Sequence, residues 1–285
     1  MRYQLKKLLF FLPLLIFLAS CGGLNSPTNL GEKNQDTQEY TATSAQPFNY
    51  QDYNSILKEY VNAEGLVDYE RLKENRQKLD EFNAAIGAVT PSTYDSWTDA
   101  EKIAFLINAY NSFTLESIID NYPTKSIRNI IGVWKIRKFD IVGEKLTLDH
   151  IEHQILRKEF NEPGIHVALV CAAISCPPLR QEAFTGNQLE QQLDDQAKKF
   201  LGNNQGFKID SQNNAVYFSS IFKWFGEDYE KTYGQEPTID GLNETETSIV
   251  NYAHQYVSPD AQKILKQGGY QVKYSDYDWS LNVQL

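Results

Sequence analysis

Thr98–Asn121 reads TDAEKIAFLINAYNSFTLESIIDN. Thr98 with Glu101 three residues on is a capping-box pattern, in which each side chain takes a backbone N–H left unpaired by the first helical turn. Beyond it, Ile103, Ala104, Phe105, Leu106, Ile107, Tyr110, Phe113, Leu115, Ile118 and Ile119 leave almost no polar face. A helix apolar nearly all round is buried on every side. The segment therefore predicts a central core helix that ends just before Tyr122-Pro123. Asn108 and Asn111 then lie on one side of a buried rod. A buried amide left without a partner costs about 1–3 kcal/mol. The pair either binds the backbone of a neighbouring loop or faces a functional site, where it would bind substrate or stabilise an oxyanion.

Working outward, Tyr53, Ile56, Leu57, Tyr60 and Val61 have helical spacing, broken at Gly65. Asp68 stands where it would cap a helix Tyr69–Ile86 that buries Leu72, Leu79, Phe82 and Ile86. Trp134, Ile136, Phe139 and Ile141 read as strand, followed by a turn at Gly143-Glu144 and a second strand to Leu148. Further on come a helix Leu189–Leu201 and a hairpin of Phe207–Ile209 with Val216–Phe218. An aromatic helix Ile221–Tyr229 follows, capped by Ser219 or Ser220. An amphipathic helix from Asn243 to Val257 carries His254 on its exposed flank, and an alternating strand Tyr270–Tyr274 closes the series. There is no internal repeat and no second linker. The pattern predicts one α+β domain over residues 48–285, its central helix packed on a small mixed or antiparallel sheet.

Two segments concentrate reactive side chains. In a helix over 148–160, a spacing of about 100° per residue puts Glu152 on the apolar side with Leu148, Ile151 and Ile155. His153 lies to the flank and His150 points away. A carboxylate on an apolar face is unusual; the local explanation is a capping box, Asp149-His-Ile-Glu152. Then Ile165–Leu179 reads IHVALVCAAISCPPL. Ile165–Val170, apolar but for His166, predicts an interior strand with His166, Ala168 and Val170 on one face. Ser175-Cys176-Pro177-Pro178 predicts a helix start, where proline is tolerated.

The chain has 285 residues, a formal charge of −10 and 41% hydrophobic residues. That is enough for a substantial core, and the absence of any basic run excludes nucleic acid as a partner. Arg2, Lys6 and Lys7 precede an apolar run Leu8–Leu18, then Leu18-Ala19-Ser20-Cys21. This is a leader pattern too short for a comfortable membrane span, and it resembles the lipobox of bacterial lipoproteins. The resemblance implies cleavage before Cys21, lipid on that cysteine, and a mature chain of charge −13. An ordinary secretory leader or a retained anchor is the alternative. Gly22 after the cysteine resembles outer-membrane sorting. Residues 21–47 are polar and read as a disordered tether. The expected location is the bacterial cell envelope, facing the periplasm or the surface, which is oxidising.

With Cys21 lipidated, Cys171 and Cys176 remain. They could form a disulfide, although a strand running into a proline-stiffened helix does not favour the geometry. They could join a metal site with His166 or His153, but ligand spacing is lacking; no metal or cofactor is expected. Or Cys176 is a thiol nucleophile, activated by a helix N-terminus or an imidazole.

Six blocks carry a resemblance: Asn108–Asn111 (NAYN), Leu148–Arg157 (LDHIEHQILR), His166–Cys171 (HVALVC), Ser175–Leu179 (SCPPL), Phe222–Phe225 (FKWF) and Tyr277–Asn282 (YDWSLN). Together they resemble the signature of the family catalogued as domain of unknown function 547. The resemblance implies a fold related to papain-like cysteine peptidases and transglutaminases, with a cysteine, a histidine and an acidic residue as the site. It assigns Cys176 as nucleophile, His166 as base (His153 the alternative) and Glu152 as the group holding the ring. Asn108, Asn111 or backbone amides near Cys176 and Cys171 would stabilise the oxyanion. The expected activity is hydrolysis or transfer at amide bonds of peptide-like compounds. The alternatives are a non-catalytic lipoprotein that binds a small peptide or thiol ligand in the same groove, and a structural lipoprotein with a Cys171–Cys176 disulfide.

Overall fold

The helix Asp99–Asp120 is the axis about which the chain folds. Both halves of its capping box form: Thr98 Oγ1 accepts the Glu101 N–H at 3.3 Å, and the Glu101 carboxylate accepts the Thr98 N–H at 2.9 Å. Ala104, Ile107, Ala109, Ile118 and Ile119 are all fully buried, so every side of the rod faces protein. Each large side chain among them contributes about 1.5–3 kcal/mol of burial.

The structure, a computed structural model, describes residues 46–235 and 238–284. The expected leader over 1–20, Cys21 and the tether up to residue 45 lie outside the described residues. The described residues form one compact unit. Before the axis come α1 (Gln51–Tyr60), α2 (Tyr69–Glu74), α3 (Gln77–Ala88) and the short α4 (Pro91–Asp95); the axis is α5. Asp68 caps α2 through the Arg71 N–H at 3.1 Å. The single helix expected over 69–86 is two, because Asn75 leaves helical geometry and its side chain donates to the Arg71 carbonyl.

After α5, β1 (Phe139–Ile141) and β2 (Glu144–Leu146) form an antiparallel hairpin. Its two-residue loop, Val142-Gly143, has positive φ at both positions, as the twist of the strands requires. Trp134 and Ile136 belong to turns, not to the expected strand, and Ile136 is 71% exposed. Next, α6 (Leu148–His150), a π-helical stretch Ile151–Leu156 and α7 (Arg157–Glu159) run on continuously.

The strand expected at Ile165–Val170 is absent. Pro163–Val167 is a 3₁₀ helix, started by the Glu162 side chain, which accepts the Gly164 N–H at 2.9 Å. Beyond it the backbone is satisfied by a side chain: Asn111 Nδ2 donates to the Ala168 carbonyl at 3.0 Å and Asn111 Oδ1 accepts the Val170 N–H at 2.9 Å. An apolar run can be buried without a neighbouring strand when such a partner is supplied.

The remaining elements are α8 (Leu189–Leu201), β3 (Phe207–Asp210), β4 (Ala215–Phe218), α9 (Ser220–Phe225), α10 (Glu230–Tyr233), α11 (Glu244–His254), α12 (Pro259–Gln267) and β5 (Gln271–Tyr274). β3 pairs antiparallel with β4, and β4 pairs parallel with β5, a mixed sheet. The architecture is α+β. The central helix does not pack on this sheet, however. Its neighbours are α2, α3, α8 and the π-helical stretch, with β1 reaching it through stacked Phe113 and Phe139 rings 4.4 Å apart. The three-stranded sheet belongs to a second apolar cluster around Phe200, Phe218, Phe222 and Tyr229. No helix among the described residues is long and apolar enough to cross a membrane.

Candidate functional site

Where the two clusters meet lies a cavity of about 330 Å³, into which Cys176, Cys171, His166, His153 and Glu152 all reach. Of the larger clefts, one of about 660 Å³ beside Phe48, Tyr50 and Trp97 has neither cysteine nor histidine in its lining, and one of about 700 Å³ is lined by His166 and Asp228 but by no cysteine, so volume does not locate the chemistry. Among the described residues, no group of three or more His, Cys, Asp and Glu is placed to hold a metal ion.

Cys171 and Cys176 are joined as a disulfide, with Cα atoms 6.3 Å apart. The expected strand-into-helix path, which argued against pairing, is not the path taken. The chain turns back at Ala172, whose φ is +58°, and the Cys176 N–H donates to the Ala173 carbonyl at 3.0 Å. No helix starts at Cys176; Pro177 and Pro178 lead into irregular chain as far as Thr185. A helix N-terminus therefore does not act on this sulfur.

Two other donors face it. The Cys171 N–H lies 3.0 Å from Cys176 Sγ, and the Tyr277 hydroxyl lies 3.1 Å from it and 3.3 Å from Cys171 Sγ. Burial first, then the charge of Glu152, raises the pKa of Tyr277, so its O–H stays intact at neutral pH. The cysteine loop is clamped by the C-terminal segment. Ile174 N–H donates to the Ser280 carbonyl at 2.8 Å, Asn282 N–H to the Ala172 carbonyl at 3.1 Å, and Asp278 N–H to Ser175 Oγ at 2.9 Å.

His166 is buried, and its ring stacks on Phe225 at a centroid distance of 4.2 Å. Its Nε2 is 2.7 Å from Asp228 Oδ2. The same carboxylate receives a fork from Arg157, Nε to Oδ2 at 2.6 Å and Nη2 to Oδ1 at 2.9 Å. Burial works to raise the Asp228 pKa, but His166 and Arg157 outweigh it and hold the carboxyl well below its usual range. An ionised carboxylate only accepts, so Nε2 of His166 carries a proton, while Nδ1 has no hydrogen-bond partner among the described residues. His153 is placed differently. Its Nδ1 is 3.2 Å from Arg157 Nη1, a group that only donates, so its lone pair is already engaged.

Glu152 does not hold the ring. It has no hydrogen bond to either histidine among the described residues, and Asp228 occupies the role expected of it. Nor does it cap the helix, because Thr147 does so by accepting the His150 N–H at 3.1 Å. The π-helical turn, closed by Arg157 N–H on the Glu152 carbonyl, brings both Glu152 and His153 to the cavity, where α-helical spacing put His153 on the flank. The neighbouring Tyr110 hydroxyl has its pKa raised by burial and then by the Glu152 charge.

Asn108 and Asn111 are fully engaged with backbone. Asn108 Nδ2 donates to the Phe184 carbonyl at 2.8 Å and its Oδ1 accepts the Phe184 N–H at 3.0 Å. Asn111 bridges Ala168 and Val170 in the same way. Neither lines the cavity that holds Cys176, and both fasten loops to α5 instead.

Asp228, Tyr277 and the tryptophan wall escaped the sequence reading. Asp228 had a signal: it is a carboxylate at the end of the aromatic run Ile221–Tyr229, the same anomaly that singled out Glu152. Three of the chain's four tryptophans, Trp134, Trp224 and Trp279, line this one cavity.

Residues 94–201 match the family model described as "Protein of unknown function, DUF547". The match supports the resemblance over that span, which holds Asn108, Asn111, Glu152, His153, His166 and both cysteines but not Asp228 or Tyr277. No curated protein and no solved structure matches the chain.

Proposed function

We propose that the protein is a cysteine-dependent hydrolase or transferase acting on amide bonds of peptide-like substrates at the cell envelope, anchored there by lipid on Cys21. One observation carries this reading. The Asp228-held His166, whose Nδ1 has no hydrogen-bond partner among the described residues, lines the same cavity as Cys176. In the reduced protein Cys176 attacks the carbonyl carbon and His166 Nδ1 takes the thiol proton, returning it to the leaving amine. Asp228 fixes the ring and balances the imidazolium. The Tyr277 hydroxyl and the Cys171 N–H favour thiolate, and both lie close enough to the sulfur to receive the developing oxyanion. A relationship to papain-like peptidases rests on this set of roles and on the family resemblance.

The test is alkylation. After reduction, iodoacetamide at neutral pH is expected to modify Cys176 well before Cys171, and His166→Ala is expected to abolish that preference. Equal, slow labelling of both thiols overturns the nucleophile reading.

A non-catalytic binding lipoprotein is the second reading, and the paired sulfurs favour it, since a disulfide leaves the cavity walls without a nucleophile. Ligand binding that survives Cys176→Ser, with no acyl adduct ever trapped on the native protein, would select it.

A further inference from the structure

We infer that the cavity receives a cationic amine, with Glu152 as its counter-ion and the rings of Trp134, Trp224 and Tyr277 as its cage. The inference rests on this cavity being the functional site, as proposed above, and not on Cys176 being a nucleophile.

Glu152 is 9% exposed, and no Lys, Arg or His among the described residues lies within 4.0 Å of its carboxylate. The other charges around it are matched. Asp149 faces Lys135 Nζ at 3.8 Å and His153 Nε2 at 3.9 Å, and Asp228 holds Arg157 and His166. Tyr110 is the polar group against Glu152, and a neutral hydroxyl does not cancel its charge; Arg157 feels that charge, but its guanidinium is forked onto Asp228 and does not reach the Glu152 carboxylate. A buried carboxylate without a counter-ion is costly unless something supplies the charge. The side that faces the cavity is where the charge can come from.

Lys135 also lines the cavity, with its charge faced by Asp149, and the aromatic part of the lining suits a cation. Trp224 and Tyr277 have centroids 4.8 Å apart, Tyr277 and Trp279 4.6 Å, and Trp134 and Trp279 6.1 Å. The faces of such rings are electron-rich and attract ammonium groups. Trp224 is 45% exposed, so the rim is open to solvent. At about 330 Å³ the cavity is at the small end for ligand sites and fits one amino-acid-sized group. An anion would meet Glu152 directly. A peptide-like substrate with a free amino group near its scissile amide satisfies every wall.

Three probes of one shape and different charge test the assignment: benzylamine, benzyl alcohol and benzoate, titrated by tryptophan fluorescence and calorimetry. Titrating the oxidised protein, in which Cys176 is not a free thiol, separates this result from the alkylation test of the nucleophile. Benzylamine is expected to bind about tenfold or more tighter than benzyl alcohol, with benzoate undetected. Glu152→Gln should abolish the amine preference while alcohol binding and circular dichroism stay as in the native protein. Asp149→Asn should keep the preference. Failure of benzylamine to bind, equal affinity for amine and alcohol in the native protein, or a preference that survives Glu152→Gln overturns the inference.

Discussion

His166 Nε2 and Asp228 Oδ2 sit 2.7 Å apart across 62 residues of sequence. Arg157 approaches the same carboxylate as a two-pronged fork, so one acidic side chain ties the helix bearing His153 to the histidine loop and to the turn after α9. The arrangement fixes both the tautomer and the ring plane of His166. It also leaves Glu152 without the orienting role.

The depressed pKa of Asp228 makes a prediction with a definite sign. The unfolded chain titrates this group near 4, above its native value. Its stabilisation is therefore whole above about pH 5 and is lost as the pH falls, because the unfolded state takes up the proton first. Asp228→Asn should lower stability at pH 7 by about 1–3 kcal/mol. It should also flatten the acid limb of a plot of urea midpoint against pH.

Asn111→Ala should act on stability. The change leaves the Ala168 carbonyl and the Val170 N–H buried and unpaired, at about 2–4 kcal/mol in total, visible in urea denaturation. A variant as stable as the native protein would mean that Asn111 does not hold the Ala168–Val170 segment.

What the sequence disclosed follows the range of the interactions. The capping box at Thr98–Glu101 needs only three residues of context and forms; the one read at Asp149–Glu152 does not, because Thr147 takes the cap two residues earlier. The bounds of α8 match those read from its periodicity. Ile165–Val170 misled because its composition fits any buried segment, and the partner that decides its conformation, Asn111, is 57–59 residues away. Cys176 was found by residue type. Its surroundings were not, because the donor to its sulfur, Tyr277, lies 101 residues on. The site is legible as a set of reactive side chains, and its pairings are products of tertiary packing.

Gly65 sets the height of the cysteine loop. Its φ is +82°, and a Cβ there would lie 2.6 Å from both Pro178 Cβ and the Leu179 nitrogen. Gly65→Ala should cost about 1–3 kcal/mol from strained backbone and contact. By pushing Pro178 outward it should also narrow the difference in alkylation rate between Cys176 and Cys171 after reduction. A variant with native rates for both thiols would mean that the loop is held by the C-terminal clamp alone.

Tyr277→Phe isolates the hydroxyl. The ring remains, with its contacts to Trp224 and Trp279, so stability should change by less than about 1.5 kcal/mol. What goes is the O–H donor 3.1 Å from Cys176 Sγ. A hydrogen bond to a charged group is worth about 1.5–3 kcal/mol, and this one favours thiolate over thiol. Its loss should make the Cys176 thiol harder to ionise. After reduction, alkylation at pH 7 should slow by up to about tenfold and recover to the native rate at high pH, where the thiolate forms regardless. Benzylamine binding by the oxidised variant should persist, because the cage keeps its ring and Glu152 its charge. An unchanged pH–rate profile would remove Tyr277 from the chemistry and leave it as a wall.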